Sequence, residues 1–199
     1  SPKGSSAFRF SSHGKLTPMT GRIVILNGAP RAGKSSIAAA VMRLPGRWIN
    51  LGVDEMRKRT PDELQPGIGL RPGGERPDLE PAIQRLYREL YDDIARNGRA
   101  GFDVVVDVGH HDWYSRPLGI LPASARQLSG LPVLFVGVRC PVEMIMARRS
   151  AAPDGYVAGP GVPEPVARWQ QAVHQPGLYD LEVDSSLLIP DRAAETIAA

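Results

Sequence analysis

Cysteine occurs once in 199 residues, at Cys140, so no disulfide can form within the chain and a reducing, cytoplasmic setting is expected. No apolar run reaches the roughly 18 residues that a membrane-spanning helix needs. Nothing near the start has the apolar core of a secretory signal. Spaced metal ligands are missing as well. His110 and His111 are adjacent, so their side chains diverge, and no Cys or ligand set accompanies them. An Asn-Lys-x-Asp guanine signature is absent, which argues against a GTPase switch, and there is no internal repeat.

Excess charge is also scarce. The formal net charge is +3, and Lys3, Arg9 and Lys15 lie in residues 1–18, a Ser- and Gly-rich stretch with no acidic residue and no periodicity. That stretch reads as a leader ahead of a natural start at Met19. Residues 19–199 are then formally neutral and read as one domain. A pI near 9.2 is therefore weak ground for a nucleic-acid or membrane partner, and neither is expected. With 42% hydrophobic residues the domain can bury a sizeable core.

What the chain does have is Gly28-Ala29-Pro30-Arg31-Ala32-Gly33-Lys34-Ser35, the G-x-x-x-x-G-K-S phosphate-binding pattern. Arg22–Leu26 runs into it as an apolar strand. Ser36–Leu44 follows with Ile37, Val41 and Leu44 on one helical face. Strand, glycine loop and helix are the context this motif requires. Glycines let backbone N–H groups converge on an anion, and the helix N-terminus adds its dipole. Residues Gly28 to Ser36 are the expected nucleotide-binding set. Lys34 reaches the β- and γ-phosphates of ATP, and Ser35 offers its hydroxyl to Mg²⁺.

Further strands are expected at Trp48–Val53, ending at Asp54, and at Phe102–Val106, ending at Asp107. Others are expected at Pro132–Val138 and Leu181–Asp184. Ile83, Leu86, Tyr87, Leu90 and Ile94 mark a helix with Pro81 in its first turn and Gly98 near its end. Helices are also expected from Pro141, across Val166–Val173, and at Asp191–Ala199. Strands alternating with helices imply an α/β fold: a five-stranded parallel sheet with helices on both faces. Ligands of such folds bind beyond the carboxyl ends of the strands, where the P-loop, Asp54 and Asp107 converge.

A hydroxyl acceptor needs a group to take its proton, and Asp54 is the candidate base; a helix cap is its plainer reading. Asp107 reads as a magnesium-shell or orienting carboxylate, or as a turn residue. Arg148, with Arg149 and Arg139 behind it, reads as a cation for the transferring phosphoryl group or as a solvated helix end. Arg148 and Arg149 precede the Gly- and Pro-rich stretch Ala151–Pro163, where a lid would lie. Thr60–Pro81 is too long for an ordinary connection and reads as a functional loop. Trp113 or Tyr114 is expected to face the acceptor, and His174 to cap a helix.

These segments resemble the chloramphenicol phosphotransferase family. The resemblance rests on Arg22–Gly28 with the P-loop, Gly52-Val53-Asp54, Val105-Val106-Asp107, Val136–Cys140, Val173-His174 and Tyr179–Asp184. It covers residues 19–199. It implies a three-layer P-loop kinase fold and ATP- and Mg²⁺-dependent phosphorylation of a small-molecule hydroxyl, as in antibiotic resistance. It also implies Asp54 as general base, Lys34 and Ser35 at the nucleotide, and Arg148 on the lid helix. The chain departs from the family at Ala152 and Gly155, where further arginines are usual, and across Pro61–Pro81. The acceptor thus stays open between chloramphenicol and another hydroxylated compound. A zeta-toxin-like nucleotide-sugar kinase and a nucleotide-binding module without acceptor chemistry are the alternatives.

Overall fold

The computed structural model describes residues 20–152 and 161–199. The proposed leader, Met19 and most of the stretch read as a lid lie outside them. Five strands form one parallel sheet in the order β2-β3-β1-β4-β5. They are β1 (Ile23–Asn27), β2 (Trp48–Asn50), β3 (Asp103–Val108), β4 (Val133–Arg139) and β5 (Leu181–Asp184). The helices are α1 (Lys34–Val41), α2 (Val53–Lys58), α3 (Glu80–Arg99), α4 (Ile120–Gln127), α5 (Val142–Ala151), α6 (Glu164–Ala172) and α7 (Pro190–Ala198).

The apolar runs explain the centre. Every residue of β1 and β3 is buried, as near-continuous apolar strands covered on both faces should be. On one face Val24, Leu26, Val136 and Val138 pack under α1, α5, α6 and α7. On the other, Ile23, Ile25, Val104 and Val106 pack under α3 and α4, with the stripe Ile83, Leu86, Leu90 and Ile94 facing them. Because β1 lies between β3 and β4, the chain leaves its end in opposite directions on either side. A crevice opens there, and the P-loop leads out of it.

Five points differ from expectation. The second strand stops at Asn50, because Asn50 Oδ1 accepts the Gly52 N–H at 2.9 Å and turns the chain. Val53 and Asp54 instead begin α2. The third strand continues past Asp107, which pairs in register with Leu26 and is buried. Helix α4 was not anticipated: its buried face, Ile120, Ser124 and then Leu128, carries a polar residue at its middle and blurs the apolar period. Thr60–Pro81, expected as a loop, carries three short 3₁₀ turns at Asp62–Leu64, Gly67–Leu70 and Pro77–Leu79. His174 does not cap α6, which ends at Ala172; its Nδ1 meets the Tyr179 hydroxyl at 2.7 Å.

Candidate active site

The P-loop turns on Gly33, whose φ of +92° suits a residue without a side chain. Helix α1 begins there with no side-chain cap and no acidic residue in its first turn. Its leading N–H groups are thus left for an anion, as the helix N-terminus of a phosphate site requires. The Lys34 ammonium folds back over the loop and donates to the Ala29 carbonyl at 2.8 Å. Loss of water around it pulls Lys34 down to about 8, against the opposing pull of Asp107 and Asp54. Both carboxylates therefore sit within electrostatic reach of the lysine.

Ser35 Oγ donates to Asp107 Oδ2 at 2.8 Å. Asp54 stands across from this pair in the first turn of α2, where the helix dipole favours a carboxylate. The N-cap position belongs to Gly52, so Asp54 does not cap the helix. Gly52 is where α2 and β3 approach: a Cβ there would lie 1.8 Å from Asp107 Oδ1. Its Cβ-free backbone allows Asp54 and Asp107 to share one rim. The Asp54 side chain is 70% exposed, and its nearest cation is Arg57, one turn on, at 3.8 Å.

Two adjoining cavities share Asp54, Arg57 and Asp107. One, of about 470 Å³, lies over the P-loop residues Gly28, Pro30 and Lys34. Its far wall is apolar and aromatic, with Val53, Leu70, Tyr87, Val108 and Trp169. The other, of about 500 Å³, runs from Ser35 past Asn50 to Gln65. Both sizes fall in the range of small-molecule sites. The expected P-loop, Asp54 and Asp107 thus come together, and residues of the 60–81 segment wall them in.

Other expected residues lie elsewhere. Trp113 and Tyr114 do not line either cavity: Trp113 Nε1 donates to Gln175 Oε1 at 3.2 Å, and Tyr114 stacks on His111. Arg139 is paired with Glu182 at 2.6 Å. Arg148 is bonded to the backbone of the P-loop and to Ser185. The two histidines are held by contacts within the protein. His110 is buried, meets the Tyr91 hydroxyl at 2.6 Å, and is pushed down to about 3 by burial. His111 Nε2 contacts the Leu70 carbonyl at 2.9 Å, and its ring lies edge-on to Trp169. Among the described residues no cluster of three or more His, Cys, Asp or Glu could hold a metal ion.

Sequence reading missed Trp169, Tyr87, Leu70 and Arg57 as site residues. Arg57 had a signal, since it follows Asp54 by three residues on a helix. Tyr87 had none, because it belongs to the apolar stripe of α3. In the sequence Asn27 stands out only as a member of the run Arg22–Gly28 that carries the family resemblance. It is 1% exposed and ties three segments together. Its Oδ1 accepts the His110 N–H at 2.7 Å, and its Nδ2 donates to the Val173 carbonyl and the Tyr179 hydroxyl, each at 2.9 Å.

A family model described as chloramphenicol phosphotransferase-like protein matches residues 21–199. The chain belongs to the chloramphenicol phosphotransferase-like family. A search of curated protein sequences finds no match. Among solved structures, the tunicamycin resistance protein of Deinococcus radiodurans superposes on this family member with a TM-score of 0.60 at 20% identity, covering 89% of this chain and 94% of that one. The APS kinase CysC of Mycobacterium tuberculosis, solved with AMPPNP and APS, gives 0.59 at 17%, covering 91% and 97%. Shikimate kinase of Acinetobacter baumannii, solved with shikimate, gives 0.59 at 14%, covering 90% and 92%. At such identities the likeness is one of fold, that of the P-loop kinases.

Proposed function

We propose that this protein transfers the γ-phosphoryl group of ATP to a hydroxyl of a small molecule, with Asp54 as general base. The observation that carries the reading is the position of Asp54: an exposed carboxylate lining a cavity whose opposite wall is the P-loop and Lys34. In the transfer, the Asp54 carboxylate takes the hydroxyl proton as the acceptor oxygen forms its bond to phosphorus. The bond from phosphorus to the β–γ bridging oxygen breaks, and ADP leaves. Lys34 and the N–H groups of α1 hold the β- and γ-phosphates. Val53, Leu70, Tyr87 and Trp169 shield the reacting end from water and take up the body of the acceptor.

Ser35 and Asp107 fit a magnesium ion: a hydroxyl and a carboxylate side by side at the cradle are the few oxygen ligands Mg²⁺ takes from protein when phosphates and water supply the rest. When bound, the ion supplies charge neutralisation on the phosphate oxygens. Membership in the family and the apolar, aromatic wall support chloramphenicol or a related hydroxylated antibiotic as acceptor, so that the reaction would confer resistance.

The test is Asp54→Asn with chloramphenicol and other hydroxylated antibiotics as acceptors, following ADP release and product mass. ADP affinity should stay near that of the parent while turnover drops at least about a hundredfold. Retained turnover would place the base elsewhere.

A further inference from the structure

Arg148 was expected at the phosphates, and its guanidinium is committed elsewhere. Nη1 donates to the Arg31 carbonyl at 3.0 Å and to Ser185 Oγ at 3.1 Å, and lies 3.4 Å from Cys140 Sγ. Nη2 donates to the Ser185 carbonyl at 2.9 Å. Ser185 Oγ in turn donates to the Ala32 carbonyl at 2.6 Å. Two consecutive P-loop carbonyls, those of Arg31 and Ala32, are therefore held by side chains from outside the loop. One comes from α5 and the other from the turn after β5.

Those carbonyls belong to the part of the loop that most needs holding. Arg31 has a φ of +66°, a positive value found at no other non-glycine among the described residues. A side chain makes the left-handed region costly, so such a conformation persists where its surroundings enforce it. A loop whose N–H groups converge on an anion must also send its carbonyls outward. Outward is where Arg148 and Ser185 meet them. Neither Arg148 nor Ser185 lines the cavity over Lys34.

We propose that Arg148 and Ser185 form a latch that holds the P-loop in its anion-binding shape, making Arg148 a positioning residue for the phosphate tail. The proposal rests on the reading of the P-loop as a nucleotide site. It differs from two other roles for an arginine here, contact with the transferring phosphoryl group and contact with the nucleoside.

The three roles separate in binding measurements without acceptor. Mg-ADP and Mg-pyrophosphate are titrated calorimetrically into the parent protein, Arg148→Met, Ser185→Ala and the double variant. Pyrophosphate reports the loop alone. The latch predicts that both ligands weaken by the same factor, about tenfold or more in Arg148→Met and about fivefold in Ser185→Ala. It also predicts that the double variant is weaker than Arg148→Met by less than the Ser185→Ala factor, since the two residues act as one unit. If Arg148→Met weakens ADP but leaves pyrophosphate untouched, the arginine contacts the nucleoside and the latch is wrong. If both ligands bind normally while turnover falls, it contacts the transferring group and the latch is wrong again. Should Arg148→Met fail to fold, Ser185→Ala decides alone, and normal pyrophosphate binding there overturns the proposal. A parent protein that binds neither ligand would remove the nucleotide site itself, and the latch with it.

Discussion

Ser35 Oγ donates to Asp107 Oδ2 across 2.8 Å, joining the end of the P-loop to the fifth residue of β3. The contact brings together the two oxygens that a phosphate-bound magnesium ion would draw on. A single carboxylate and hydroxyl hold such an ion only when phosphate is present, so metal and nucleotide should bind together. Ser35→Ala and Asp107→Asn should each raise the half-saturating Mg²⁺ concentration for turnover about tenfold or more. ADP affinity measured in chelator should change little. Turnover plotted against Mg²⁺ at fixed ATP checks this, and an unshifted midpoint would leave Asp107 a purely structural partner of Ser35.

Lys34 gives the site a pH dependence whose sign follows from its surroundings. In the free protein, loss of water pulls the ammonium down to about 8. Bound phosphates favour the charged form and lift it again. Below pH 8 the lysine is already charged and binding takes up no proton through it. Above pH 8 binding must take up a proton, so ADP affinity should fall by up to about tenfold per pH unit. Calorimetry at pH 8.5 in two buffers of different ionisation enthalpy should show that uptake. Lys34→Ala should bind weakly at every pH, show no uptake and support no transfer. A parent affinity that is flat from pH 7 to 9.5 would contradict the depressed lysine.

Most of this arrangement is legible in the chain, because the P-loop, β1 and β3 are local patterns. Gly28 to Ser36 names its own conformation, and the apolar run before Asp107 names a buried strand. Asp54 stands out in the sequence from its place near an expected strand end, although β2 stops four residues earlier and the residue lies in the first turn of a helix. The wall proposed for the acceptor was not legible. Leu70, Tyr87 and Trp169 come from three segments distant in sequence, and each has a sufficient packing reason to be apolar. Arg148 was placed on the right helix, but nothing in one sequence shows that its partners are the Arg31 carbonyl and Ser185. Those contacts depend on how α5 and the end of β5 pack beside the loop, which is long-range information.

Trp169 should matter for the acceptor and not for the nucleotide. Its ring lies so close over Gly109 that a Cβ there would come within 3.0 Å of it. His111 holds it edge-on from the side while contacting Leu70, its neighbour on the same wall. Removing an aromatic ring from an apolar wall forfeits about 1.5–3 kcal/mol of burial, or about tenfold to a hundredfold in binding. Trp169→Ala should raise the acceptor KM by that factor and leave the KM for ATP within about twofold. Gly109→Ala should move both in the same directions by displacing the ring. Steady-state kinetics with each substrate varied in turn checks this, and an altered ATP KM with a normal acceptor KM would move the acceptor off this wall.

The last prediction concerns stability at the end of the sheet away from the site. The Asp103 carboxylate opens β3 and accepts four hydrogen bonds. Three come from Arg22, through its backbone N–H at 2.9 Å, Nε at 3.1 Å and Nη2 at 2.9 Å, and one from the Arg47 N–H at 3.2 Å. The Arg22 side chain, above all, holds this carboxyl down to about 2. Asp103→Ala leaves two backbone N–H groups and a guanidinium without that partner, which should cost about 2–3 kcal/mol. For a domain of this size that is a fall in Tm of about 5–10 °C. Turnover at 25 °C should stay unchanged, because the substitution lies at the opposite end of β3 from Asp107. The depressed pKa fixes how the difference varies with acid. It is complete above about pH 4, where the carboxyl is ionised in both folded and unfolded chains, and shrinks as pH falls from about 4 toward 2. Urea unfolding of parent and variant at pH 7 and pH 3 measures this. A gap that stays constant between the two would show that packing, not the ionised carboxylate, is what Asp103 contributes.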